Sequence, residues 1–177
     1  MSEYSIHVLN GKVVGDSTFF LLANTSLGKE CKRLCEFTDE LDKSPLHKKE
    51  RIAEYKCAKY RYAAVSTVHS LLQINNNGRK EHNIEYTNFV LLAFYERIKD
   101  NSEYLSQYEA APSSEKPDCS LYYALLIVTD NELAELEEKL TFATDWERVE
   151  LEERIGGWKF AKECLNEAWK RRKEVIE

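Results

Sequence analysis

A run of apolar residues at helical spacing, beginning near residue 52, constrains the fold of this chain most strongly. Its members recur every three or four positions: Ile52, Ala53, Cys57, Tyr60, Ala64, Val68, Leu71 and Ile74. Side chains at this spacing lie on one face of an α-helix. A second apolar set on another side consists of Tyr62, Val65, His69 and Leu72. The two sets predict a central helix that begins after Ser44 and ends within the segment 75–78.

Similar patterns predict helices along most of the remaining chain. Thr25 or Ser26 is a suitable N-cap for a helix that runs to about Leu41. Another helix is expected from about Asn83 to residues 108–111. The Pro- and Ser-rich residues 112–118 predict a surface loop, and the apolar run 121–128 is either a buried helix or a strand at a sheet edge.

Two capping-box patterns predict the last helices. Thr129 is followed at three residues by Glu132, and Thr144 by Glu147. In such a box the hydroxyl and the carboxylate each satisfy a free backbone N–H at a helix start. We therefore expect helices near 130–141 and 145–175. The apolar register continues across the glycine pair 156–157, which predicts a bend or a close helix crossing within the last helix.

The first 23 residues differ from the rest. Asn10-Gly11 is a strong signal for a two-residue hairpin turn, and Val13-Val14 continues an extended pattern. The run 18–23 fits a strand or the start of a helix. The chain is thus predicted to be mainly α: one domain over 1–177, an elongated bundle of five to six helices with a small N-terminal β-hairpin within the segment 1–23.

Charge is distributed very unevenly along the chain, whose total is −6. Residues 43–62 hold seven basic and two acidic residues, whereas residues 130–153 hold ten acidic and two basic residues. Such asymmetry indicates charged partners, or two halves that face each other. Neither block identifies a partner by itself.

Standard catalytic and cofactor motifs are absent from the sequence. It contains no phosphate-binding glycine loop, no G-x-S-x-G, no H-E-x-x-H and no Glu-x-x-His pair. Cys31 and Cys35 share a helix face but lack further ligands at zinc spacing, so we interpret them as core residues. We expect no cofactor and no metal. Five cysteines without a signal peptide and without an 18-residue apolar run predict a cytoplasmic protein with free thiols and no membrane segment.

The acidic block gives the leading functional hypothesis. Its carboxylates repeat every three residues on two helices: Glu132, Glu135, Glu138, Glu147, Glu150 and Glu153. Like charges at this spacing destabilise a helix slightly, so the block is either a solvated face or a docking surface. The second interpretation predicts a non-catalytic accessory or regulatory protein that binds a basic protein partner; imitation of nucleic acid is one form of such binding.

A first alternative is nucleic-acid binding. Basic residues alternate with tyrosines between 48 and 62, where Lys or Arg would neutralise phosphates and Tyr would stack on bases. The basic residues concerned are Lys48, Lys49, Lys56, Lys59 and Arg61. Pairing with acids elsewhere in the fold is the competing interpretation, and the net negative charge opposes nucleic acid.

Two further hypotheses come from single features. His69, with Tyr60 and Tyr62 nearby, is a candidate general base in an unrecognised enzyme site, or a buried histidine with a structural role. The seven-residue rhythm of apolar residues in 151–176 allows a homodimer through that stripe.

Overall fold

The computed structural model describes residues 7–9, 12–14, 17–81 and 97–174. Within these ranges the chain is mainly helical, as predicted. A short 3-10 helix, Ile98–Asp100, precedes the fourth of six α-helices. The six are α1 Thr18–Asp42, α2 Pro45–Glu50, α3 Ile52–Glu81, α4 Ser102–Ala110, α5 Lys116–Phe142 and α6 Asp145–Lys170. Of the helix expected from about Asn83 to residues 108–111, residues 83–96 lie outside the described residues. From residue 97 on, the prediction of one continuous helix is wrong, because Asn101 is extended and its side chain accepts a hydrogen bond from the Tyr104 backbone N–H at 3.1 Å, which starts a new helix.

Two three-residue strands precede the helices. Strand β1, His7–Leu9, pairs antiparallel with β2, Lys12–Val14, and Val8 lies opposite Val13. The Asn10-Gly11 turn lies outside the described residues, so the N-terminal hairpin stays a prediction. Residues 18–23, for which strand and helix were both open, are the first turns of α1.

Helix α1 begins earlier than its predicted caps. Ser17 Oγ accepts a hydrogen bond from the Phe20 backbone N–H at 3.1 Å, which satisfies one free donor of the first turn. Phe19, Ala23 and Leu27 recur at four-residue spacing and are fully buried. Their burial stabilises the helix through Thr25 and Ser26, so the prediction of a start at 25–26 is wrong.

The predicted central helix differs from the structure at both ends. It is interrupted at Arg51, which separates α2 from α3; no residue of α2 is buried, so no packing holds α2 in line with α3. At the other end, α3 continues through the segment 75–78 to Glu81. Asn75 is buried, and its Nδ2 donates to the Leu71 carbonyl oxygen at 2.7 Å. Because its side chain bonds within the helix, Asn75 does not end the helix as its sequence context predicted.

Helix α5 replaces several elements predicted separately. It starts at Lys116 with Pro117 in its first turn, where the missing N–H costs nothing, so the predicted loop 112–118 ends at Glu115. The apolar run 121–128 is a buried helix rather than a strand. Thr129 lies inside the same helix and is fully buried. The capping box at Thr129 is therefore wrong, because the apolar run ahead of it is already helical.

One half of the second capping box is confirmed. The Thr144 backbone N–H donates to Glu147 Oε2 at 3.0 Å, but the Thr144 hydroxyl donates to the same oxygen at 2.8 Å instead of accepting a backbone N–H of the first turn. Helix α6 begins at the next residue, Asp145. Only two residues, Ala143 and Thr144, therefore join α5 to α6.

The chain divides into two compact units, each drawing on several separate segments. The first unit takes its described residues from 1–24, 70–128 and 165–177, and the second from 25–69 and 129–164. Helices α1, α3, α5 and α6 each contribute residues to both units. The single domain over 1–177 and the elongated form of the bundle stay predictions.

The first unit has an aromatic core. The rings of Tyr122 and Trp169 stack with centroids 4.6 Å apart, and Phe19 meets both rings edge-on at 5.7 and 5.5 Å. The Tyr122 hydroxyl donates to Asn166 Oδ1 at 2.9 Å, so its polar end is satisfied. This cluster joins α1, α5 and α6 within the first unit.

The second unit contains a close crossing of α3 and α6. A Cβ atom built on Gly157 would lie 2.7 Å from the Ala64 Cβ and 3.0 Å from the Arg61 carbonyl oxygen. Helix α6 continues through both glycines. The predicted close crossing is therefore confirmed, and Gly157 is the residue that permits it.

Replacing each glycine by alanine distinguishes the effect of the close crossing on stability from the effect of helix propensity. Gly157→Ala should lower the free energy of unfolding by about 1–3 kcal/mol, because the added methyl overlaps α3. Gly156→Ala is the matched control: its Cβ would meet only Arg61 Nη1 at 3.7 Å, so it should raise stability by up to about 1 kcal/mol. Urea unfolding followed by circular dichroism measures both. Equal effects of the two substitutions would contradict the crossing.

Candidate functional site

The six predicted acidic residues lie in the second unit. Glu132, Glu135 and Glu138 belong to α5, and Glu147, Glu150 and Glu153 belong to α6. We call these two groups the α5 acids and the α6 acids. The two groups differ in how many of their carboxylates already interact with other protein groups of the unit.

The α5 acids are uncompensated. Leu133 and Leu136 on the same helix are buried, while Glu135 and Glu138 are exposed and Glu132 is half-buried. None of the three α5 acids forms an ion pair with any residue that the structure describes. Their carboxylates therefore have no direct ionic partner among the described residues.

The α6 acids all interact with protein groups. The Thr144 backbone N–H, helped by its hydroxyl, holds the pKa of Glu147 below its ordinary 4.5. Glu150 pairs with Arg154 at 2.9 Å. Burial, and after it the nearby Glu153 charge, raises the pKa of the Cys57 thiol. Reversing these charges would disturb the fold as well as a surface.

Basic side chains near the α5 acids pair with other carboxylates. Lys162 on α6 holds Asp130 at 2.5 Å, and Lys159 holds Glu137 at 3.1 Å. These two pairs join α5 to α6. Each uses a lysine that would otherwise be available to the α5 acids.

In the described ranges, the basic side chains of residues 43–62 that form ion pairs do so with acids that lie outside the acidic block. Lys48 Nζ lies 2.5 Å from Asp42, and Arg61 Nε donates to Glu30 Oε1 at 3.0 Å. Within the described ranges, no ion pair joins residues 43–62 to residues 130–153. The two charge blocks therefore do not neutralise each other by direct pairing.

Several basic residues of the predicted nucleic-acid patch already contact other side chains of the protein. Lys48 lies over the Tyr55 ring at 4.1 Å and Lys59 at 5.4 Å, so that ring already faces two ammonium groups. Arg61 pairs with Glu30 and lies over the Phe160 ring at 5.2 Å. Lys49 and Lys56 are exposed. Nucleic-acid binding through this patch stays a prediction, with only part of its charge free to meet phosphates.

His69 is half-buried and packs beside α1. A Cβ on Gly28 would lie 3.5 Å from His69 Nε2, an ordinary contact distance, so the imidazole lies beside α1 at Gly28. Burial lowers the pKa of His69. The grooves described below are not lined by His69, Tyr60 or Tyr62. An enzyme site there stays a prediction, and the packing supports the structural role of this histidine.

Cys31 and Cys35 are half-buried free thiols on α1. Burial raises the pKa of Cys31, and the nearby Cys35 thiol raises the pKa of the Tyr62 hydroxyl. Groups of three or more metal-ligating side chains do not occur among the residues described.

The apolar stripe of 151–176 packs inside the chain. Its buried members include Ile155, Trp158, Ala161, Leu165 and Ala168. Since these side chains are already covered, the stripe itself is not a free surface for a second copy. A homodimer through 151–176 stays a prediction that would have to use the other faces of α6.

Sequence reasoning missed a groove at the junction of α5 and α6. It has a volume of about 480 Å³ and is lined by Lys139, Phe142, Ala143, Glu147, Glu150 and Leu151. Phe142 is 85% exposed and Trp146, in the first turn of α6, is 87% exposed. One sequence signal was available: both aromatics fall outside the apolar stripe, which begins at Leu151.

A second groove of about 590 Å³ lies between α1 and α3 and is lined by Arg33, Arg51 and Arg61 among others.

Comparison of the chain with protein-family models, curated proteins and solved structures gives no match. In the described part of the chain, every helix is too short or too polar to cross a bilayer. The function is therefore argued from the geometry of the acidic surface alone.

The Glu30 ion-pair network predicts a pH effect on stability. Arg33, the larger cause, and Arg61 hold the pKa of Glu30 below its ordinary 4.5. A carboxyl whose pKa is lowered by folding stabilises the fold above its unfolded-state pKa, and this contribution disappears as the pH falls through the folded-state value. Glu30→Gln should therefore lower the free energy of unfolding by about 1–2 kcal/mol at neutral pH, and the deficit should shrink below pH 4.5.

The matched control is Glu36→Gln, which removes a carboxyl of the same helix that pairs only with exposed Lys32 at 3.6 Å. Its effect should stay near zero at every pH, because exposed pairs contribute little. Urea unfolding at several pH values measures both variants. A Glu30→Gln deficit that stays constant down to low pH would contradict the network.

Proposed function

We propose that this protein is a non-catalytic accessory or regulatory protein that binds a basic protein partner through its acidic surface. One observation carries the proposal: Glu132, Glu135 and Glu138 stand on α5 without ion pairs to described residues, while Lys159 and Lys162 of α6 are bound to Glu137 and Asp130. Lys139 on α5 is the one base within this stretch and is outnumbered three to one. All five cysteines are free thiols, which supports action in the reducing cytoplasm.

Unpaired carboxylates suit a recognition surface. A basic partner can approach them without first breaking an ion pair within the protein. Concentrated charge of one sign also accelerates encounter with a partner of opposite sign and selects against partners of like sign. The same field disfavours nucleic acid at this surface.

The spacing of the α5 acids also supports imitation of nucleic acid. Residues three apart rise about 4.5 Å along a helix, whereas phosphates of one DNA strand are spaced about 3.4 Å along its axis. A partner with a phosphate-binding groove would meet similarly spaced negative charges. Competition between DNA and this protein for the same basic partner would distinguish imitation from simple docking.

Charge reversal on α5 tests the proposal. The variant Glu132→Lys, Glu135→Lys, Glu138→Lys changes the charge by six units and breaks no described ion pair. We expect loss of the basic proteins that the immobilised wild-type chain retains from an extract of its source cells, measured by quantitative mass spectrometry. Wild-type retention should fall as salt rises.

A matched variant controls for net charge. Asp39, Glu40 and Glu109 are exposed and form no ion pair with described residues, so reversing them to lysine gives the same total change at other sites. This control should retain the basic proteins. If the two variants retain the same set of proteins as the wild type, the α5 acids are only a solvated face and the proposal is wrong.

A further inference from the structure

The α5–α6 groove has the form of a small binding site for an apolar group. Phe142 and Ala143 provide one side, and Leu151 on α6 provides another. Glu147 and Glu150 stand at its edge with Lys139. The two-residue connection of α5 to α6 and the Thr144 capping box fix the two helices beside the groove.

The aromatic residues at this junction are exposed beyond what the core requires. Phe142 ends α5, Trp146 lies in the first turn of α6, and Val149, one turn further on, is 51% exposed. Exposed apolar groups rimmed by polar residues mark interaction sites. Tryptophan and other large aromatics also supply much of the energy of binding at protein interfaces. The protein therefore presents apolar anchors where its own core gains nothing from them.

Charge at the junction selects the kind of ligand. Residues 135–153 contain eight acidic residues against Lys139 and Arg148. Arg148 lies 3.9 Å from Glu152, and Arg154 and Lys159 on α6 pair with Glu150 and Glu137. Exposed Glu135, Glu138 and Asp145, which form no ion pair with described residues, still outnumber Lys139. This remaining charge disfavours nucleic acids and anionic membranes and fits a basic peptide segment.

We propose that the α5–α6 groove receives an apolar side chain from a basic amphipathic helix of a partner protein. This inference rests on the proposed function and adds the form of the partner: lysines or arginines meet the acidic surface, and an apolar residue enters beside Phe142. Trp146, which precedes the groove residue Glu147 on α6, contacts the incoming helix beside the groove. A groove between two helices is a common receptor for such a helix.

The probe is an 18-residue peptide of leucine and lysine with its leucines on one helical face. Trp146 is the reporter, because Trp158 is buried and Trp169 is half-buried. Peptide binding should shift tryptophan emission to shorter wavelength in the wild type. The variant Trp146→Phe should lose this shift.

Two matched substitutions test the groove by titration calorimetry. Phe142→Ser should weaken peptide binding about tenfold or more, because it removes an apolar wall. Leu46→Ser changes an apolar side chain on α2 that is 68% exposed and should leave affinity unchanged. Both residues are exposed, so circular dichroism should show intact folds. Equal affinities of the two variants would overturn the groove assignment.

Two further peptides distinguish the contribution of the groove to binding from the contribution of charge. A lysine–serine peptide of equal charge should bind at least tenfold more weakly than the leucine–lysine peptide, and a leucine–glutamate peptide should not bind.

If the lysine–serine peptide binds equally well and Phe142→Ser has no effect, the groove inference fails while the proposed function stands. If triple reversal of the α5 acids leaves lysine peptides bound as before, the proposed function fails. Dimerisation that Phe142→Ser abolishes would assign the groove to a second copy and overturn the inference.

Discussion

Arg61 and Gly157 form the contact on which the second unit depends. With no side chain on Gly157, α6 comes within contact distance of the α3 backbone at Arg61 and of the Ala64 methyl. The Arg61 side chain then reaches Glu30 on α1 and covers the Phe160 ring on α6. One turn of α3 thus contacts both α1 and α6 through its backbone and its longest side chain. Any group added at Gly157 would separate α3 from α6 at this point.

This arrangement decides which charges remain for a partner. Arg61 is bound to Glu30 on α1, and Lys159 and Lys162 are bound to acids of α5. Lys159 and Lys162 therefore join α6 to α5 through Glu137 and Asp130 and leave the α5 acids without ion pairs to described residues. Structural ion pairs and a free acidic surface are in this sense two results of the same helix packing.

Sequence patterns predicted the helices well where apolar periodicity was long, and poorly where a local signal competed with burial. The carboxylate half of the capping box at Thr144 forms after α5 has ended at Phe142, whereas the same pattern at Thr129 lies within a helix already formed by residues 121–128. Asn75 resembled a helix stop but bonds to its own helix. The acidic block was visible in the sequence; which of its carboxylates are unpaired, and the groove at Phe142, depend on long-range packing that no local pattern reports.

The central claim is that negative potential is concentrated at the surface of residues 132–153 and is accessible from solution. Paramagnetic relaxation by small nitroxides measures this directly, when a cationic and an anionic nitroxide are compared at each amide proton by NMR. The account predicts that the cationic nitroxide relaxes amides around Glu135 and Glu138 much more strongly than the anionic one does, with a smaller or opposite difference over residues 43–62. Equal relaxation by both nitroxides around Glu135 and Glu138 would contradict the account.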